Sequence, residues 1–191
     1  MKIILATSNP HKIDEIKLIM NKGFDFVPVN TNVEEDGMSF AENAIKKAEF
    51  AYEKYGSSVI ADDSGLEIDA LKGLLGIRSA RFMEKHPYEE KNAKILEMMK
   101  NVSDDKRTAR FKCVAVYYDG SPHIFEGVIE GKIAKHPKGE NGFGYDPIFI
   151  PYGYRNTMAE LPSSVKNKIS HRAQAFKKVS KYLTKKSKNI F

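Results

Sequence analysis

The chain has a single cysteine, Cys113, in 191 residues. No intramolecular disulfide can form, and a cysteine-based metal cluster is excluded. No apolar stretch approaches the roughly 20 residues needed to span a bilayer. The apolar run at the start gives way at once to Thr7, Ser8 and Asn9, which does not read as a signal peptide. A soluble protein of a reducing, cytoplasmic compartment is expected. There is also no internal repeat, no low-complexity segment, no long linker and no G-x-x-x-x-G-K-[ST] phosphate loop. No convincing Ser–His–Asp or Cys–His order marks a nucleophilic triad.

What is present is a composition that can fold. Hydrophobic residues make up 41% and charged residues 29%, matching a packed core under a soluble surface. The formal net charge of +6 fits an anionic partner, either nucleic acid or a phosphate ligand. Part of that excess lies in Lys177, Lys178, Lys181, Lys185, Lys186 and Lys188, which read as a solvated helix face followed by a loose basic tail over 184–191.

The periodicity predicts a strand over 2–6, a polar loop over 7–12, and a helix with Ile13, Ile16, Ile19 and Met20 on one face, stopped by Gly23. A short strand over 25–29 leads to the acidic loop Glu34-Glu35-Asp36-Gly37. Ser39 and Glu42 have capping-box spacing for a second helix, whose apolar face is Ala41, Ala44, Ile45, Ala48, Ala51, Tyr52 and Tyr55. A buried strand over 58–61 is expected to end in Asp62-Asp63-Ser64-Gly65. A connection through Gly73 and Gly76 precedes a helix over 87–100 with Ile95, Leu96 and Met99 inward. Two strands within 108–133 flank the turn pair Asp119-Gly120. A polar loop over 137–144, a strand over 147–150 and a last helix close the chain. Ser170 is the expected N-cap of that helix, and Ala175, Phe176, Val179 and Leu183 face inward. Strand–helix units mixed with a long hairpin predict an α/β fold with a mixed sheet.

Five segments could carry chemistry. Thr7, Ser8, Asn9, Pro10, His11 and Lys12 lie between a strand and a helix N-terminus, where free N–H groups and the helix dipole favour phosphate. An ordinary turn with a capping Asn fits the same residues equally well. Asp62 and Asp63 at a strand end could hold Mg²⁺ or take a proton from water. The alternative is an Asx turn closed by Gly65. Glu35 could complete a metal site with Asp63, or the acidic run could simply be a solvated loop beside a helix N-terminus. Asn141 to Pro147 places Phe143 between Gly142 and Gly144. That suits stacking on a nucleobase, worth roughly 1–3 kcal/mol; the alternative is a loop whose aromatics fill the core. Finally Lys166, His171 and Arg172 gather charge near the start of the last helix, either to bind phosphate or a purine O6 or as surface charge.

Taken in order, these segments resemble the inosine triphosphate pyrophosphatase family, enzymes that remove nonstandard purine triphosphates. The resemblance runs from Thr7-x-Asn9-x-x-Lys12 through Glu35-x-Gly37-x-Ser39-Phe40-x-Glu42-Asn43, Asp62-Asp63-Ser64-Gly65-Leu66 and Gly76-Ile77-x-Ser79-Ala80-Arg81. It continues with Phe143-Gly144-Tyr145-Asp146-Pro147, Met158-Ala159-Glu160 and Lys166-x-x-Ile169-Ser170-His171-Arg172. The likeness implies a two-lobed inosine triphosphatase-like α/β fold with an elongated mixed sheet flanked by helices, a central cleft, and a homodimer. It implies hydrolysis of ITP, dITP and XTP to monophosphate and pyrophosphate, with Mg²⁺ as cofactor. By the same resemblance the loop from Thr7 to Lys12 binds the triphosphate. Asp63 is the general base and a metal ligand, Glu35 is a second metal ligand, and Asp62 supports Asp63. Ser64, Lys166 and Phe143, Gly144, Tyr145 and Asp146 bind substrate, while His171 and Arg172 face the base. Ser8 stands where many relatives carry Gly.

Two rival functions follow from the residues. A pyrophosphatase for other nucleotides would show itself in a panel of triphosphates. A non-catalytic nucleic-acid-binding module would bind with steep salt dependence and without Mg²⁺; the acidic clusters at 34–36 and 62–63 argue against it.

Overall fold

The computed structural model describes residues 2–20 and 23–188. Its strands are β1 (Lys2–Leu5), β2 (Asp25–Pro28), β3 (Val59–Ile68), β4 (Thr108–Tyr118), β5 (Pro122–Ile133) and β6 (Phe149–Pro151). Its α-helices are α1 (Pro10–Met20), α2 (Phe40–Tyr55), α3 (Tyr88–Met98), α4 (Ser163–Ile169) and α5 (His171–Lys188). The strands form one sheet in the order β2-β1-β3-β4-β5-β6. β1 is parallel to β2 and to β3, whereas β5 and β6 are antiparallel. The mixed α/β sheet expected from the sequence is therefore found. Among the described residues no helix is long and apolar enough to cross a membrane.

The chain forms two compact units: Met1–Asp63 with Cys113–Gly127 and His171–Phe191, and Ser64–Lys112 with Val128–Ser170. In the first, Ile3, Leu5, Ile60, Cys113, Ala115 and Tyr117 point to one side of the sheet. There Ile16 and Met20 of α1 and Ala175, Phe176, Val179 and Leu183 of α5 close a buried core. Side chains alternate along a strand, so Ile4, Val59 and Ala61, all buried, belong to the opposite side. α2 presents Ala44, Ala48 and Ala51 there, each fully buried. The second unit has its own core, built from Leu66, Ile68, Ile95, Met99, Phe111, Tyr145, Ile148 and Phe149 among others.

Several boundaries differ from the sequence reading. β3 does not end at residue 61; it continues through Asp62-Asp63-Ser64-Gly65 to Ile68. The Asx-turn alternative fails because the backbone stays in the strand through these residues, and distant side chains bind both carboxylates. Helix α4 was not expected. Ser170 directly precedes α5 with the extended backbone of an N-cap residue, φ −62 and ψ 158, and its N–H closes α4 on Lys166 O at 2.9 Å. Residues 184–188 are helical, not a loose tail, and 189–191 lie outside the described residues. Tyr55 is exposed and not part of the α2 inner face. Met20 is the last helical residue of α1, with residues 21 and 22 outside the described set and Gly23 at φ +108.

Candidate active site

The loop between β1 and α1 is built by Asn9. Its Oδ1 accepts from His11 N (3.0 Å) and Lys12 N (3.3 Å), and its own N–H donates to Thr7 Oγ1 at 3.2 Å. Asn9 is thus the cap of α1, with Pro10 at the first helical position, where its missing N–H costs nothing. The capping reading and the phosphate reading are compatible. The Asn9 carbonyl is committed to the helix, which leaves its amide –NH₂ as the donor to a ligand. Ser8, Pro10 and His11 are exposed, and Thr7 and Lys12 half-buried.

Asp62 and Asp63 sit on opposite sides of β3. Asp62 shares its side with Ile60 and turns toward α1 and α5: Lys12 Nζ is 2.9 Å and Arg172 Nη2 3.5 Å from its Oδ2. Arg172 also donates to Glu15 Oε2 at 2.7 Å, so this buried guanidinium ties α5 to α1 and β3. It is engaged by the carboxylates of Glu15 and Asp62. Burial alone would raise the Asp62 pKa, but Lys12, Arg172 and Lys47 outweigh it and hold the carboxyl far below the ordinary carboxylate range. The same burial, with Asp62 beside it, pushes the Cys113 thiol far up, making it inert. Asp62 Oδ1 is buried without a hydrogen-bond partner among the described residues.

Asp63 shares the side of Val59 and Ala61 and faces α2. Asn43 Nδ2 donates to its Oδ2 at 3.0 Å, while Asn43 Oδ1 accepts from Gly37 N at 2.8 Å. One amide therefore ties the acidic loop to the strand. A Cβ on Gly37 would stand 2.6 Å from Asn43 Oδ1, so only Gly allows this approach. One turn on, Lys47 Nζ donates to Glu35 Oε1 at 2.6 Å and to Asp62 O at 2.7 Å. Burial lowers the Lys47 pKa, but the charges of Asp63, Asp62 and Glu35 outweigh it, and the net shift is upward. For Asp63 the balance has the other sign. Burial and the nearby Glu35 raise its pKa, and Lys47, the Asn43 hydrogen bond and Lys12 only partly offset them. A unit pair at ~4 Å is worth about 4 kcal/mol at an effective dielectric near 20, so the number of nearby cations decides the direction.

Lys47 and Glu15 were missed by the sequence reading, and Asn43 entered only as part of a motif. The available signal was positional: Asn43 and Lys47 interrupt the buried stripe Ala44, Ala48, Ala51 at helical spacing. The expected Ser39–Glu42 box is half formed. Glu42 N donates to Ser39 Oγ at 3.1 Å, but Glu42 Oε2 accepts from Met38 N. No group of three or more His, Cys, Asp or Glu side chains is arranged to hold a metal among the described residues.

In the second unit, Gly142 (φ +75) and Gly144 (φ +69) flank Phe143. Phe143 N donates to Asp146 Oδ2 at 2.9 Å. Asp146 is ion-paired with buried Lys166, whose Nζ lies 4.7 Å from the Phe143 ring centroid. A Cβ on Gly142 would collide with Asp146 Oδ2. Tyr145 is a core residue: its hydroxyl donates to Ser79 O at 2.6 Å and its ring meets Tyr88 edge-on at 5.2 Å. Burial, with Tyr88 adding, raises its pKa well above the ordinary phenol value. Of the two aromatics Phe143 is half-buried, whereas Tyr145 is buried. Ser64 follows Asp63 on β3 and is half-buried; His171, in the first unit, is buried at the first position of α5.

Comparison with known proteins identifies the family. The Ham1 family profile matches residues 3–182. A dITP/XTP pyrophosphatase of Desulforamulus reducens is 47% identical over 97% of this chain and 96% of its own length. One from Bacillus subtilis is 47% identical over 94% and 96%. Among solved structures, a HAM1 protein from Coxiella burnetii superposes with a TM-score of 0.88 at 40% identity, covering 97% of this chain and 99% of that one. The Staphylococcus aureus Ham1 protein gives 0.85 at 38%, covering 97% and 100%. With near-complete coverage in both sequence and fold, the chain belongs to the Ham1 family.

Proposed function

We propose that this protein hydrolyses nonstandard purine nucleoside triphosphates, ITP, dITP and XTP, to the monophosphate and pyrophosphate, and so keeps deaminated purines out of DNA and RNA. The names of its relatives support the substrate class. The observation that carries the chemistry is the Asp62/Asp63 pair. One carboxylate is held ionised among cations, and its neighbour has its pKa raised toward a working proton acceptor.

In the reaction, a water oxygen attacks the α-phosphorus as its proton passes to Asp63. The bond from that phosphorus to the bridging oxygen breaks, and pyrophosphate leaves with the electron pair. Lys12, Lys166 and the N-terminus of α1 stabilise the negative charge gathered on the leaving group. Asp62 keeps Lys12 and Arg172 in place. Thr7, Ser8 and Asn9 donate to the phosphates, and Ser64 joins them. Glu35 and Asp63 offer hard carboxylate oxygens, and Mg²⁺ takes one or two such ligands together with substrate phosphates and waters. Glu35 lies near enough to Asp63 to raise its pKa, so these two carboxylates would hold the ion, with Lys47 giving up its contact to Glu35. When bound, the ion supplies charge neutralisation and a lowered pKa for the attacking water.

Selectivity is assigned to the 6-oxo group, which accepts from Arg172, His171 or backbone N–H groups near Tyr145, while the base stacks on Phe143. The 6-amino group of ATP meets those donors with a donor, and an unmatched buried group is costly. A homodimer is inferred from the family resemblance, and a cytoplasmic location from the single cysteine and the lack of a signal-peptide pattern; light scattering tests the dimer. The enzymatic test is incubation with ITP, XTP, GTP and ATP, with and without Mg²⁺. Monophosphate plus pyrophosphate from ITP and XTP, far ahead of ATP, is expected. Diphosphate plus phosphate, or equal rates on ITP and ATP, would overturn the assignment.

A further inference from the structure

Helix α3 carries a polar residue where its own period calls for an apolar one. Tyr88, Asn92, Ile95 and Met99 recur at spacings of four, three and four. Ile95 and Met99 are fully buried in the core of the second unit. Asn92, between them and Tyr88, is only 4% exposed. Its Nδ2 donates to Gly144 O at 3.1 Å. Its Oδ1 is buried and has no hydrogen-bond partner among the described residues. An aliphatic side chain there would bury no unmatched acceptor. The amide is thus poorly explained by packing alone, and its one bond goes to the loop that carries Phe143.

We propose that Asn92 is a positioning residue for base recognition: it grips the Gly144 carbonyl from α3 and so sets the conformation of residues 142–146. The inference rests on the reading of Phe143 as the stacking platform. Gly144 holds a left-handed backbone at φ +69; glycine populates both signs of φ about equally, so its own preference does not select this conformation. Its neighbours on either side are pinned separately. Phe143 N is bonded to Asp146 Oδ2, and the Tyr145 hydroxyl to Ser79 O. The turn across Gly144 is closed by a long bond from Asp146 N to Phe143 O at 3.3 Å, and the Asn92 amide adds the side-chain hold on the Gly144 carbonyl inside that turn. Two neighbours on the same helical turn reinforce the hold. Tyr88 packs edge-on against Tyr145 at 5.2 Å. Lys91, buried, donates to Ala80 O at 3.2 Å and lies 4.8 Å from the Tyr88 ring. The first turns of α3 thus brace both the Phe143 loop and the segment that receives the Tyr145 hydroxyl.

The test uses Asn92→Ala, which removes the grip, and Asn92→Asp, which keeps the size but replaces the donating amide with an acceptor facing a carbonyl. Steady-state kinetics with ITP and GTP would be measured for the wild type, both variants, Phe143→Ala and the Asn92→Ala/Phe143→Ala double variant, alongside thermal melting. The wild type must first turn over ITP; if it does not, the functional reading fails independently of Asn92. Given that activity, both Asn92 variants should raise KM for ITP about five- to ten-fold with kcat changed less than about two-fold, and should narrow the preference for ITP over GTP. In the Phe143→Ala background the Asn92→Ala effect on KM should largely vanish, because both act through one loop. A lowered melting temperature with unchanged KM and selectivity would show a packing role only and overturn the proposal. So would additive effects in the double variant. If Asn92→Ala folds poorly, the same criteria apply to Asn92→Asp.

Discussion

Asp62 and Asp63 are neighbours in sequence and titrate in opposite directions, because strand geometry turns one toward α1 and α5 and the other toward α2. Asp62 is ionised in the fold well below the pH at which it would be in an unfolded chain. Its stabilising contribution is therefore complete above the ordinary aspartate pKa and fades as pH falls below it. Asp62→Asn leaves Lys12 and Arg172 short of a counter-charge, and should cost about 3–5 kcal/mol at neutral pH. The gap to wild type should narrow on acidification in urea unfolding at a series of pH values. Asp63 behaves in reverse. Its raised pKa means that it favours the fold only where it is protonated, below the ordinary value, and that this is lost as pH rises through the raised value. At neutral pH its charge strains the fold, so Asp63→Asn should keep or raise the melting temperature. Turnover should meanwhile fall about 10²- to 10⁴-fold. Calorimetry beside a pyrophosphate-release assay checks both halves, and a marked loss of stability in Asp63→Asn would contradict the charge balance described.

Helix α2 shows how one element assembles a site. Its start is set by Ser39 and its depth by Ala44, Ala48 and Ala51, and the spacing of four then carries Asn43 to Asp63 and Lys47 to Glu35 and Asp62 O. Lys47→Met keeps the length and removes the charge, leaving three carboxylates together. A loss of about 3 kcal/mol or more is expected in metal-free protein. Mg²⁺ should raise the melting temperature of the variant more than that of the wild type, because the ion then supplies the missing cation. Equal shifts would show that Lys47 and the ion do not share the same carboxylates. Periodicity found α2 readily, since sixteen residues carry a clear pattern. It missed α4, whose seven residues span barely two turns, too few for a period to register. It also stopped β3 early, because Asp-Asp-Ser-Gly reads locally as a turn. The strand continues because its carboxylates find partners on α1, α2 and α5 that lie far away in sequence.

For the molecule as a whole, Lys47 serves as an internal counter-ion, and no cluster of three metal-ligating side chains exists among the described residues. The fold should therefore not depend on metal. EDTA is expected to stop pyrophosphate release while circular dichroism stays unchanged, with activity restored by added Mg²⁺; unfolding on chelation would contradict this. The net charge of +6 proves less informative than where the charges lie. The lysines of α5 largely face solvent, whereas the buried Lys47, Lys166 and Arg172 each neutralise a named carboxylate. Read as a string, the residues settled the order of the strands and the longer helices, the exclusion of an intramolecular disulfide and the ordered motifs of the family, because propensity, capping and periodicity act over a few neighbouring positions. Which of two adjacent aspartates has its pKa raised and which has it lowered, that Arg172 pairs with Asp62 and Glu15, and that Asn43, Lys47 and Asn92 hold the carboxylates and the Phe143 loop were decided only in three dimensions. Burial and Coulomb interactions depend on distance through space, and these partners are brought together from segments up to 157 positions apart.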